Sequence, residues 1–149
     1  LNHDGYFKGY ASVFNNLDNH NDIILPNAFL GVEAKEVKFL WQHDVNQPIG
    51  KITKLYQDKV GLVVEGKLSL NSDKGREVYG LLKDGAVEGL SIGFEVKDSF
   101  CKGEYRYLTS IKLWEVSVVT FPANSEAKVI EVKAMSSLLL AWEDFLTRY

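Results

Sequence analysis

The sequence predicts a mainly β domain, an antiparallel barrel or sandwich with a few peripheral helices. Short segments with an alternating apolar and polar period of two dominate the chain. Hairpin-like links join them, with no regular alternation of strand and helix. Helical periodicity is confined to a few short stretches, the clearest near the middle and at the C-terminus. At 149 residues the chain accommodates one domain with a real core and is short for two.

The elements follow in order. "GYFKGYASVF" (Gly5 to Phe14) sets Phe7, Gly9, Ala11 and Val13 on one face and Tyr6, Lys8, Tyr10 and Ser12 on the other, a strand pattern. "NNLDNHND" has the Asn and Asp density of a loop, and "DIILPNAF" reads as a short strand stopped at Pro26, with Asn27 beginning a helical turn. "VKFLWQHD" (Val37 to Asp44) reads as a strand ending in polar residues, with Pro48 in the loop that follows. "IGKITKLY" and "GLVVEGKLSL" predict two strands joined by a hairpin at "QDK". In "NSDKGREVYGLLKDGA" the period changes: Val78, Leu81 and Leu82 form a helical stripe, Ser72 or Asp73 caps the start, and Gly85 ends it. "VEGLSIGFEVKD", "EYRYLT" and "SIKLWEVSVVTF" return to strands. "MSSLLLAWEDFLTRY" spaces Leu138, Trp142, Phe145 and Tyr149 as one face of a terminal amphipathic helix. That stripe offers a face for packing on the domain or for a second copy, a homo-oligomer.

Composition narrows the function. Hydrophobic residues at 46% and charged residues at 25% are ordinary globular usage and exclude a disordered chain. A formal net charge of -3 provides no basic field, so nucleic acid and anionic membrane surfaces are not expected partners. The lone Cys101 excludes an internal disulfide and fits a reducing compartment such as a cytoplasm. Its segment, "DSFCKGEY", reads as an exposed turn with nothing nearby in sequence to activate the thiol. The longest apolar run, "SSLLLAW", is far short of a membrane span, and no basic-then-apolar start resembles a signal peptide. A start at Leu1 reads as a fragment or a processed product.

Gly89-Leu90-Ser91-Ile92-Gly93 fits the G-x-S-x-G pattern of a hydrolase nucleophile elbow. An elbow needs a strand, a sharp turn at Ser and then a helix, with its His later in the chain. Here alternation continues after Ser91, through Ile92, Phe94 and Val96, and the three histidines, His3, His20 and His43, all precede it. The α/β-hydrolase reading fails, and Ser91 becomes a serine within a strand. Such a serine still serves as a nucleophile if a base lies within hydrogen-bond reach. His43, closing a strand in "FLWQHD", is the best placed base, and Glu115 in "LWEVSVVTF" is a candidate to hold its tautomer. The plainer alternatives stand beside these: a packing serine between glycines, a structural histidine, a solvated glutamate. A metal site from His20 and Asp22 with His43 or Asp44 lacks a recognised ligand spacing, and no cofactor is implied.

Four blocks in order, "GYASVFNNLDNHNDIILPNAF", "FLWQHDVNQPIGKI", "GLLKDGAVEGLSIGFEV" and "LWEVSVVTFPANSEAKV", resemble the prohead protease family of tailed phages. The resemblance covers most of the chain from Gly5 to Val132. It implies a catalytic domain over 1–134 and a β-barrel surrounded by helices like the herpesvirus maturation protease; the terminal helix over 135–149, read from its spacing, lies outside the resemblance. It further implies a serine endopeptidase that works inside the prohead, in the cytoplasm of a bacterial host. Its expected substrates are scaffold, the scaffold-like arm of the major capsid protein, and itself. By resemblance, Ser91 matches the nucleophile and His43 the base. Herpesvirus enzymes use a second histidine as third member; here His3 and His20 fall in the wrong block, and Glu115 is the candidate. "PIGKI" and "KDGAVEG" are expected rims of a cleft for an extended peptide. The rival function is a non-catalytic capsid or scaffold interaction module on the same β fold.

Overall fold

The computed structural model describes residues 4–133. In chain order they form β1 (Tyr6–Val13), β2 (Asp22–Ile24), β3 (Lys38–Trp41), β4 (Asp44–Gln57), β5 (Gly61–Leu68), α1 (Asp73–Lys83), β6 (Gly89–Lys102), β7 (Tyr105–Val119) and β8 (Val129–Lys133). A short 3-10 turn spans Ala34–Glu36. The helix expected around Leu138, Trp142, Phe145 and Tyr149 lies outside the described residues.

Local chemistry accounts for most of these boundaries. In β1, Phe7, Ala11 and Val13 are buried while Tyr6, Lys8 and Tyr10 are half-buried on the opposite face, the alternation that the pleat imposes. Asp58 closes the β4–β5 hairpin by accepting from the amides of Val60 and Gly61, at 2.7 and 3.0 Å. The Ser72 hydroxyl accepts from the Gly75 amide at 3.1 Å and caps α1, whose Val78 and Leu82 face the core. Gly85, at φ +72°, follows its C-terminus. Gly103, at φ +64°, supplies the positive φ for the tight turn between β6 and β7. No helix among the described residues is long and apolar enough to cross a membrane.

The sheet departs from the expectation in three ways. "EYRYLT" and "SIKLWEVSVVTF" form one strand of 15 residues, β7. At about 3.3 Å per residue it is ~50 Å long. One edge therefore takes the whole of β6, and the other has room for β2 beside Arg106 to Leu108 and β3 beside Glu115 to Val118, both parallel to it. From β3 the order continues β4, β5, β1, β8, all antiparallel. Second, Pro48 lies within β4 instead of a loop, opposite Leu40, where the register shifts on both sides. A bulge tolerates the missing N–H there.

Third, the expected barrel does not close into a continuous ladder. The two ends of the sheet meet through a single bridge between Gly89 and Lys128, with Leu90 N–H bonded to Ala127 O at 2.9 Å and Val129 N–H to Glu88 O at 2.8 Å. Three register shifts along β6 and β7 bend that hairpin away beyond this point. The core sits inside the curve, with the Phe7 and Phe39 rings stacked 4.5 Å apart and Leu90, Val116 and Val118 wholly enclosed. Full burial of such side chains contributes roughly 1.5–3 kcal/mol each. The backbone flanking Ser91, Glu115 and Ser117 is thus among the most firmly held in the molecule.

Candidate active site

Ser91 lies in the first turn of pleat of β6, as the continuing alternation predicts, and is 8% exposed. Its cross-strand partner in β7 is Ser117, and Gly93 pairs with Glu115 two residues away. Cross-strand partners project to the same side of a sheet, so Ser91, Gly93, Glu115 and Ser117 share one face.

His43 reaches this face from the β3–β4 turn. Trp41 pairs with Asp44, leaving Gln42 and His43 as a two-residue loop with φ of +52° and +60°. Both residues are left-handed, the conformation of a type I′ turn, which normally selects Asn-Gly. For residues with a Cβ this geometry costs about 1–2 kcal/mol each. The surroundings enforce it. Gln42 N–H binds Val118 O at 2.9 Å, its side chain exchanges two hydrogen bonds with Thr120, and His43 N–H binds the Ser117 hydroxyl at 3.0 Å. Backbone strain held this way is a feature of functional sites.

The turn aims the imidazole at the sheet. His43 Nδ1 bonds Glu115 Oε1, and Ser117 Oγ donates to Glu115 Oε2 at 2.6 Å. The His43 side chain is 44% exposed and that of Glu115 only 12%. Glu115 raises the imidazole pKa, chiefly through this hydrogen bond and also through its charge, against an opposing effect of partial burial. With Nδ1–H committed to the carboxylate, Nε2 keeps its lone pair for another proton.

Ser91 and His43 line the same cavity, of about 140 Å³, and no hydrogen bond joins them. His20 lies on its rim, a placement the loop reading missed. No residue of the expected rims lines this cavity: "PIGKI" (Pro48 to Ile52) lies within β4, and "KDGAVEG" (Lys83 to Gly89) runs from the end of α1 to the first residue of β6. Its lining includes Asn16 and Asn124, joined at 2.8 Å. Asp22, weighed as a metal ligand, is buried with both carboxylate oxygens taken by Arg106, at 2.7 and 2.8 Å. Cys101 is exposed near the far end of β6, opposite Arg106, ten residues from Ser91.

Gly93 has a role that pattern matching did not supply. A Cβ there would stand 2.9 Å from Glu115 Cγ and closer still to Oε1. The second glycine of the Ser91 motif thus provides the space that the carboxylate occupies. Gly93→Ala should displace the flexible end of Glu115 without moving backbone. We expect a stability change within ~1 kcal/mol by denaturant unfolding and a fall of about 10²-fold in any reaction that runs through the His43–Glu115 pair, the order expected for a misplaced catalytic geometry. An unchanged rate would show that the carboxylate position is unimportant.

Comparison with known proteins shows the family. Residues 1–139 match the family model described as caudovirus prohead serine protease. The chain is similar to the prohead protease of Enterobacteria phage HK97, with 35% identity over 145 residues covering 90% of this chain. It is also similar to the prohead protease of Escherichia phage T5, at 30% over 140 residues and 87% of this chain. The matches span 63% of each relative's own length. Among solved structures, the fold is similar to the capsid assembly protease gp21 of bacteriophage T4, with a TM-score of 0.64, 12% identity, and coverage of 78% of this chain and 82% of that one. It is likewise similar to the KSHV protease bound to a hexapeptide phosphonate inhibitor, with a TM-score of 0.62, 13% identity, and coverage of 90% and 67%. With its whole described fold inside the matched residues, the chain belongs to the caudovirus prohead serine protease family.

Proposed function

We propose that the chain carries the catalytic machinery of a serine endopeptidase that cleaves capsid or scaffold precursor, and itself, inside the phage prohead in the host cytoplasm. The observation that carries this reading is the imidazole of His43, bonded through Nδ1 to Glu115, lining the same cavity as Ser91. Membership of the family supports the peptidase class. A stretch similar to 79% of this chain also lies within the capsid polyprotein of Pseudomonas phage PAJU2, at 34% identity, which supports a capsid substrate.

In the proposed reaction Ser91 Oγ attacks the scissile carbonyl carbon while His43 Nε2 takes the hydroxyl proton. The tetrahedral intermediate collapses, the C–N bond breaks, and His43 returns the proton to the departing amine. Water then attacks the acyl-enzyme with His43 again as base, releasing the carboxylic acid and regenerating Ser91. Glu115 holds the imidazole in the Nδ1–H tautomer and stabilises the imidazolium. A cavity of about 140 Å³ is below the range of about 300–1,000 Å³ usual for small-molecule and cofactor sites. It suits one side chain of an extended polypeptide.

Co-expression with the phage's own capsid or scaffold precursor tests the reading. The wild-type chain should shorten the precursor to a defined product, and the Ser91→Ala chain should leave it intact. Processing by neither, with the precursor bound to each, would favour a non-catalytic interaction module, and equal processing by both would rule out Ser91 as the nucleophile.

A further inference from the structure

The proposed chemistry uses Ser91, His43 and Glu115, yet a fourth side chain completes their geometry. Ser117 is fully buried, at 0% exposure. Its hydroxyl accepts from the His43 backbone N–H at 3.0 Å and donates to Glu115 Oε2 at 2.6 Å. Glu115 Oε1 bonds His43 Nδ1. The four groups therefore form a closed ring: His43 amide, Ser117 hydroxyl, Glu115 carboxylate, His43 imidazole.

We infer that Ser117 is a positioning residue for peptide hydrolysis, clamping the left-handed His43 turn and the Glu115 carboxylate into one unit. It rests on the Ser91, His43 and Glu115 reading above. Glu115 fixes only the ring, and the bonds to Val118 and Thr120 hold only Gln42, the first half of the turn; the His43 amide itself is held by Ser117. Ser117 fixes the backbone from which the ring projects and, through its own proton, the carboxylate that the ring must meet. Loss of this enclosed hydroxyl removes the partner that the His43 amide and Glu115 Oε2 share. The hydroxyl is also unsuited to nucleophilic attack. Its proton is committed to Glu115, and it is enclosed, although it is the direct cross-strand neighbour of Ser91.

The test uses the 149-residue chain, a fluorophosphonate probe, and the proton resonance of His43 Nδ1–H. In the wild type the probe should label Ser91, and the Nδ1 proton should give a strongly deshielded signal. Ser117→Ala should slow labelling about 10- to 100-fold at unchanged probe affinity, and should shift or broaden that signal. Ser117→Cys, isosteric but a weak hydrogen-bonding partner, should behave likewise, which keeps the inference testable if the alanine variant fails to fold. Ser117→Thr, which keeps the hydroxyl, should restore both readouts to near wild type. Labelling within threefold of wild type in the folded Ala or Cys variant would overturn the inference. So would slowed labelling with the Nδ1 signal unmoved, a Thr variant as impaired as Ala, or label on Ser117 itself. Failure of the wild type to label at Ser91 is a different result, and it sinks the underlying catalytic reading instead.

Discussion

Replacing Ser91 or His43 by Ala should lower hydrolysis of a precursor-derived peptide by at least about 10³-fold, and the double variant should be no worse than the slower single one. In the proposed reaction nucleophile and base act as a unit, so removing either removes the acyl-transfer step. What remains comes from substrate binding and from whichever donors stabilise the oxyanion. The Ser91→Ala fold should not suffer, because Ser91 is small and its loss deletes no protein hydrogen bond among the described residues, whereas His43→Ala also removes the partner of Glu115 and should be modestly less stable. A Ser91→Ala unfolding midpoint close to wild type, with the rate lost and KM little changed, is the expected combination. A Ser91→Ala variant that retains activity would move the nucleophile elsewhere, with Cys101→Ser as the next variant to compare.

Glu115→Gln is the second large expected effect, with a fall in kcat of roughly 10³- to 10⁴-fold. The amide cannot stabilise an imidazolium and can present N–H to Nδ1, which favours the wrong tautomer. The pH profile separates this from simple damage. His43 must be neutral to accept the serine proton, and Glu115 raises its pKa above the ordinary value of about 6.5, mainly through the hydrogen bond to Nδ1. The wild-type rate should therefore rise with pH through a midpoint above 6.5, and in the Gln variant that midpoint should move down. Stability carries the same sign. A group whose pKa is raised on folding stabilises the fold below its unfolded pKa, and that contribution fades as pH rises through the folded value. The stability gap between wild type and Glu115→Gln should thus be widest in mild acid and narrow above the folded midpoint. A midpoint that does not move would detach Glu115 from His43.

The elements legible from sequence were those decided locally. The alternation of Phe7, Ala11 and Val13, the cap at Ser72 and the continued strand after Ser91 each depend on neighbours within a few residues. Sheet closure and the parallel docking of β2 and β3 on β7 depend instead on strand length and on contacts distant in sequence. Nothing in "EYRYLT" and "SIKLWEVSVVTF" marked them as one strand, because Thr109 and Ser110 at their join are as acceptable in a strand as in a turn.

At the site the pattern was similar. His43 and Glu115 could be nominated by residue type, and the fold brings them into contact. The turn that aims His43 was hidden, since Gln42-His43 has no sequence signature of a left-handed pair and is held there by Val118, Thr120 and Ser117. Gly93 seemed to be half of a motif for a different machine, and its use became visible only once β6 and β7 were in register. Ser117, two residues from Glu115 in a strand, shares its face by alternation. A hydroxyl two residues from a strand-borne carboxylate is the one sequence signal that could have singled it out.

The most direct measurement is covalent trapping with a fluorophosphonate, followed by mass-spectrometric mapping of the labelled residue in the wild-type and His43→Ala chains. Label on Ser91 in the wild type, slowed by about 10³-fold or more without His43, is the predicted result. Label on Ser117 or Cys101, or label on Ser91 at an undiminished rate in His43→Ala, would contradict it.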